Sequence, residues 1–258
     1  MLDPVSSSYV DSLLVYRCES PQQVAELAAG EAQRYLQQVL QQQGNAAVLL
    51  ATGNSQIQFL KTLIDLGGLD WSQITLLHLD EYLGIEAQHP ASFRYYLRER
   101  VEKQVRPKVF HYINGDALQP LQECDRYTQL LKAQPIDLCC LGLGENGHLA
   151  FNDPDVADFQ DPHSLKLVKL DTITRQQQVK TGLFSELEQV PQYAFTVTLP
   201  LICSARKILC LAPELRKAKA VQGLLTGEIT PQLPASILRQ HPQASLFLDR
   251  DSAGFSPC

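Results

Sequence analysis

Short apolar runs recur along this chain, each closed by a polar or glycine-containing turn and followed by a stretch of helical periodicity, and no other feature limits its folding choices as much. The runs are Ala46–Ala51, Ile74–Leu79, Val109–Ile113, Ile136–Leu141 and Lys207–Leu211. Runs of this length and apolar character suit strands buried on both faces, as in a parallel sheet covered by helices. Helix signals fall between them. Ser20-Pro21-Gln22-Gln23 supplies an N-cap serine, a proline at the first helical position and a glutamine where a capping box wants it. Val24, Leu27, Ala28, Tyr35, Leu36, Val39 and Leu40 then keep near a 3.6 period until Gly44 offers a stop. Further helices are predicted after Gly53, where Ile57, Leu60, Leu63 and Ile64 share a side, and from Ser92, where Phe93, Tyr96, Leu97 and Val101 form the apolar face and Arg94, Arg98 and Arg100 a solvated one. Others are predicted over Leu118–Lys132 and Thr174–Leu183, near Glu214 and from Pro234. Leu13–Tyr16, Ser164–Leu170, Ala194–Leu199 and Ser245–Leu248 complete the set of expected strands. With no repeat or linker to interrupt the alternation, the expectation is one α/β domain over residues 1–258. Its sheet is open and mostly parallel with helices on both faces, a Rossmann-like, doubly wound arrangement.

Composition removes several classes of function. A net charge of −6 with no basic stripe argues against a nucleic-acid partner. No apolar run approaches the roughly 18 residues that suggest a membrane span, and the N-terminus lacks the basic start and apolar core of a signal peptide. The seven cysteines are odd in number, scattered and free of any C-x-x-C pair, which suits reduced thiols in a cytoplasm. None of the six histidines pairs with another at metal-ligand spacing.

In open parallel sheets, ligands bind beyond the carboxyl ends of the strands. Four polar features fall there. Thr52-Gly53-Asn54-Ser55 precedes a helix, so its amides either meet an anion or are capped by the serine and threonine side chains. Asp80 and Glu81 are neighbours at a strand end and point to opposite faces, so one carboxylate reaches a shared site and the other takes a structural partner. Gly142–Pro154, Gly-Leu-Gly-Glu-Asn-Gly-His-Leu-Ala-Phe-Asn-Asp-Pro, holds His148 in a glycine-rich turn, and Lys217 lies early in a later helix. Together they suggest a small phosphorylated substrate undergoing acid/base chemistry. The Gly142, Gly144, Gly147 spacing superficially matches a dinucleotide fingerprint. His148 and Asn152 would crowd the pyrophosphate, however, and no acidic residue ends a strand about twenty residues on. No nucleophile elbow is present.

With these motifs the sequence resembles the glucosamine-6-phosphate deaminase family, which shares its fold with the 6-phosphogluconolactonases. The resemblance runs from Thr52-Gly53-Asn54-Ser55 through Leu79-Asp80-Glu81-Tyr82-Leu83-Gly84 and Gly142–Pro154 to Lys217 and Pro234-Ala235-Ser236. Tyr82 after the acidic pair and the run Gly147–Asn152 look like the deaminase branch, since the lactonases usually have arginine after that pair. The resemblance implies conversion of glucosamine 6-phosphate to fructose 6-phosphate and ammonia, in amino-sugar catabolism and without a cofactor. It implies that His148 assists ring opening, that Asp80 moves the proton from C2 to C1, and that Asn146 and Asp153 support the histidine. Thr52, Gly53, Asn54, Ser55 and Lys217 match phosphate-binding positions, with Lys180 a further cation. Many members carry aspartate at the place of Asn146, glutamate at that of Asp153 and arginine at that of Lys180. A sugar-phosphate lactonase and a silent sugar-phosphate sensor are the alternatives, and a homo-oligomer is left open.

Overall fold

The computed structural model describes residues 6–180 and 182–254. It opens with a hairpin, β1 (Ser6–Val10) and β2 (Leu13–Arg17), then α1 (Pro21–Gln43), β3 (Ala46–Leu50), α2 (Asn54–Asp65) and β4 (Ile74–His78). A short β5 (Asp80–Tyr82) follows at once, then α3 (Phe93–Leu97), which runs on through a π-helical stretch Arg98–Glu102, and β6 (Val109–His111). Next come α4 (Pro120–Lys132), β7 (Leu138–Gly142), β8 (Leu165–Lys169), α5 (Thr172–Lys180), β9 (Tyr193–Val197) and α6 (Leu199–Cys203). The chain closes with β10 (Lys207–Leu211), α7 (Ala218–Thr226) and β11 (Ala244–Leu248), with 3-10 turns at Leu215–Lys217 and Pro234–Gln240.

Among the described residues, eight strands form one sheet in the order β1-β2-β11-β10-β7-β3-β4-β6, parallel throughout except for the β1–β2 hairpin. Alternation along the strands divides the core in two. Ala47, Leu49, Leu77, Cys139 and Leu141 pack with Tyr127 and Leu131 of α4 and Val221 and Leu224 of α7. Ala46, Val48, Leu50, Leu76 and Cys140 pack with Leu36 of α1, Phe59 of α2 and Leu97 of α3. Helices therefore cover both faces, as the continuous apolar runs require. In α1 the Ser20 side chain accepts from the Gln23 amide, the Gln23 side chain returns to the Glu19 amide, and Gly44 ends the helix at φ 74°.

A second sheet, antiparallel and ordered β5-β9-β8, stands beside the first. Leu79 joins them: its amide donates to Leu50 of the main sheet and its carbonyl accepts from Val197 of the small one. Asp80 is thus the first residue past the point where the chain changes sheets. Tyr82 is buried among Phe93, Phe151 and Phe184 under the small sheet. Two side-chain expectations change. Ile57 is 40% exposed, and Phe59 and Gln56 take its place in the core of α2. Of the three arginines expected on a solvated face, Arg100 is exposed, Arg98 is half-buried and donates to the carbonyl of Ala87, and Arg94 is buried: it lies 3.5 Å from Glu81 and 2.9 Å from Asp116 and donates to the carbonyl of Ile85.

Candidate active site

A cleft of ≈ 260 Å³ opens beyond the carboxyl ends of β3, β4, β7 and β10, and it gathers Thr52–Ser55, Asp80, His148 and Lys217 on one wall system. Each arrives there by a local cause. At the start of α2, Gly53 takes φ 96°, and no side chain caps the helix. The first-turn amides are therefore left without the Ser/Thr cap that was the simpler expectation, and they carry the positive end of the helix dipole. Ser55 can approach β7 because residue 142 is glycine; a Cβ there would stand 3.1 Å from the Ser55 hydroxyl. Buried Gln56 fixes the same turn by donating to the carbonyl of Leu141.

Asp80 is held by what precedes it. The Tyr127 hydroxyl donates to the carbonyl of His78 and accepts from its amide, while the His78 imidazole accepts from the Ile113 amide through Nε2. These bonds leave the end of β4 little freedom. Burial, reinforced by the neighbouring Glu81, pushes the Asp80 carboxyl well above its usual range. Glu81 faces the other way, accepting from the amides of Tyr82, Phe93 and Arg94 and from the Ser92 hydroxyl. The adjacent carboxylates thus divide between cleft and scaffold.

His148 stands over Gly144, where a Cβ would come within 2.4 Å of three ring atoms. Gly147, at φ 85°, lets the turn close against Leu233, and its carbonyl accepts from the Ala235 amide, so the Pro234–Gln240 segment buttresses the loop. Behind the ring, Asp153 Oδ1 lies 3.0 Å from His148 Nδ1, at ion-pair distance but without hydrogen-bond geometry. The same oxygen accepts from Asn146 Nδ2 at 2.9 Å and from the Thr174 hydroxyl at 3.0 Å. Asn146 in turn accepts from the His148 amide. Asn146 and Asp153 therefore stand behind the histidine instead of on the cleft wall. Burial would raise the Asp153 pKa, but the His148, Asn146 and Thr174 contacts hold it below the ordinary value.

Lys217 reaches the cleft from the turn after β10, and burial together with Arg216 lowers its pKa to about 8. Lys180 does not join it. It is exposed at the end of α5 and is not among the residues lining the cleft, whereas Gln177 and Gln178 of the same helix are. Two other cations, Arg100 and Arg216, line the cleft and were not anticipated. Arg100 lies four residues past Tyr96 and seven past Phe93, both cleft residues, and that spacing was the available signal. Thr174 was also missed, because nothing in its neighbours marks a hydroxyl that reaches across to Asp153. Among the described residues no cluster of three His, Cys, Asp or Glu side chains is placed to hold a metal ion.

Residues 19–247 match the family model of glucosamine-6-phosphate isomerases/6-phosphogluconolactonase. A glucosamine-6-phosphate deaminase of Streptococcus sanguinis (strain SK36) is 36% identical over 81% of this chain and 87% of its own length. The counterpart in Streptococcus pneumoniae (strain 70585) is 34% identical over 79% and 84%. Among solved structures, a monomeric glucosamine-6-phosphate deaminase superposes with a TM-score of 0.86 at 31% identity, covering 94% of this chain and 99% of that one. A 6-phosphogluconolactonase from Shewanella baltica OS155 gives 0.76 at 17% identity over 94% and 100%, a likeness of fold alone. The chain belongs to the glucosamine-6-phosphate isomerase/6-phosphogluconolactonase family.

Proposed function

We propose that this protein is an aldose–ketose isomerase that deaminates glucosamine 6-phosphate, yielding fructose 6-phosphate and ammonia. The observation that carries the reading is the convergence of Asp80 and His148 with the Thr52–Ser55 turn and Lys217 in one cleft. An anion site of amides and one lysine holds the phosphate, and the two proton-moving groups meet the other end of the sugar. His148 transfers the proton between the anomeric hydroxyl and the ring oxygen, opening the ring to the aldehyde. That carbonyl acidifies the hydrogen on C2, which Asp80 removes to give an enolamine. The same carboxyl returns the proton to C1, leaving an imine at C2. Water adds to the imine, and ammonia departs as the ketone forms. One carboxyl serving two adjacent carbons needs no redox group or metal. The raised pKa of Asp80 suits a group that must first accept and then donate.

Asp153, with Asn146 and Thr174 behind it, orients the histidine. The chain acts as one domain in this reading. The cytoplasm is the fitting compartment, since the six cysteines among the described residues are all unpaired. No helix among those residues is long and apolar enough to cross a membrane.

The test is to supply purified protein with glucosamine 6-phosphate and, separately, 6-phosphogluconolactone. Ammonia and fructose 6-phosphate from the first, with no acid release from the second, support the deaminase. Acid release from the lactone alone reverses the assignment, and saturable binding of the amino sugar without turnover points to a sensor.

A further inference from the structure

We propose that Arg100 is the second cation of the phosphate subsite, gripping a phosphate monoester beside the Thr52–Ser55 turn. The inference rests on the phosphate assignment of Thr52–Ser55 and Lys217 above and adds a residue from a different element. Arg100 belongs to the π-helical stretch that continues α3, and it lines the same cleft as the turn and the lysine. Its guanidinium carbon sits 4.5 Å from the centre of the Tyr96 ring, and the Tyr96 hydroxyl donates to the carbonyl of Gly53 at 3.0 Å. One aromatic ring therefore ties the guanidinium to the turn that offers its amides. A guanidinium held over a ring face by its carbon still has N–H groups to donate, and two of them match two phosphate oxygens at once.

The other cations near the cleft are less available. Arg216 is engaged by Glu214 at 2.6 Å and Glu145 at 3.3 Å, and Lys180 is exposed outside the cleft wall. Arg100 has no carboxylate partner among the described residues, and its guanidinium rests over the Tyr96 ring. Arg100 is exposed, but unlike Lys180 it lines the cleft, and an arginine there without a carboxylate partner, held beside an uncapped helix start, is arranged for an incoming anion. A dianion also carries one more charge than Lys217 alone can match. Forked recognition by Arg100 takes two of the three terminal oxygens of a phosphate monoester and leaves the third to the amides and Lys217, a division that a two-oxygen carboxylate does not allow.

The experiment compares wild type, Arg100→Gln, Arg100→Lys, Lys180→Ala and, as a control one turn further on, Lys103→Ala. Two quantities are measured on each: the steady-state constants for glucosamine 6-phosphate, and the affinity for inorganic phosphate by calorimetry. Arg100→Gln is expected to raise KM and to weaken phosphate binding together, each by about tenfold to hundredfold, the range for loss of a charge-assisted contact. kcat should stay close to wild type. Arg100→Lys should recover part of the loss, as a point charge replacing a fork does, and Lys103→Ala should behave as wild type. Arg100→Gln with wild-type KM and phosphate affinity overturns the proposal. So does a loss confined to Lys180→Ala, which would bring the second cation from α5. Calorimetry keeps this test separate from the reaction: Arg100-dependent phosphate binding in a protein that releases no ammonia supports the subsite and refutes the deaminase reading.

Discussion

The imidazole of His148 occupies the space that a side chain on Gly144 would fill, with three ring atoms 2.4 Å from the ideal Cβ position. Gly144 is not at positive φ, and the three atoms nearest to an added Cβ all belong to the ring, so the imidazole is what an alanine meets first. Gly144→Ala should therefore leave the fold intact and push the imidazole aside. A displacement of about 1 Å costs on the order of a hundredfold in rate. The measurement is kcat beside a thermal melt, and a folded variant at wild-type kcat would contradict the placement of His148.

Asn146 and Asp153 form a matched pair. The Asn146 amide donates to Asp153 Oδ1 at 2.9 Å, and an aspartate at 146 would set two carboxylates against each other there. Asn146→Asp alone should lower kcat by about tenfold or more, like-charge contacts at this distance being unfavourable by over 1 kcal/mol. Adding Asp153→Glu, which lengthens the partner by one methylene, should restore part of the loss. Non-additivity in the double-mutant cycle is the readout; simple addition of the two losses would mean that the residues act independently.

The pH profile should be bounded by Asp80 and Lys217. Asp80 must be ionised to take the C2 proton, and its pKa is raised by burial and by Glu81. Activity should therefore fall on acidification through a value above the ordinary carboxylate range. Lys217 loses its charge as pH rises through about 8, so KM should climb on the alkaline side. A bound phosphate stabilises the ammonium, which places this limb in kcat/KM and moves it higher in kcat. Lys217→Arg should remove the alkaline limb; its persistence would assign the limb to another group.

Arg94 stabilises the segment behind Asp80. Its guanidinium is buried beside Glu81 and bonded to Asp116 and the Ile85 carbonyl. Arg94→Met leaves the Glu81 carboxyl buried without its nearby cation and should cost about 3 kcal/mol, the lower end for breaking a buried pair, since four other donors still reach Glu81. Urea denaturation measures it. A loss below the roughly 1 kcal/mol of a surface pair would mean that the contact is effectively solvated.

The main sheet was legible because its strands are buried on both faces, and burial writes itself as the apolar runs Ala46–Ala51 and Ile136–Leu141. The caps Ser20 and Gly44 were legible for a similarly local reason. β1 was not: Ser6–Val10 is exposed except at its last residue and carries no apolar pattern. The runs containing β8 and β9 were visible as strands, but their membership of a second sheet was not. That sheet depends on Asp80-Glu81-Tyr82 pairing with residues more than a hundred positions away, and by sequence those three residues were only the end of the Ile74–Leu79 strand. The division of labour between Asp80 and Glu81 followed from strand alternation alone. Arg94 looked solvated because its buried partners, Glu81 and the Ile85 carbonyl, lie on the preceding loop and strand. Lys180 carried a family position but not a place in this cleft.

The central claim is that Asp80 carries the proton between C2 and C1, and Asp80→Asn tests it most directly. With glucosamine 6-phosphate in deuterated water, the variant should bind the sugar with near wild-type affinity. Exchange at C2, followed by NMR, should disappear, and ammonia release should fall by about a hundredfold to ten-thousandfold, the usual contribution of a positioned base. C2 exchange and ammonia release at wild-type rates would contradict the account.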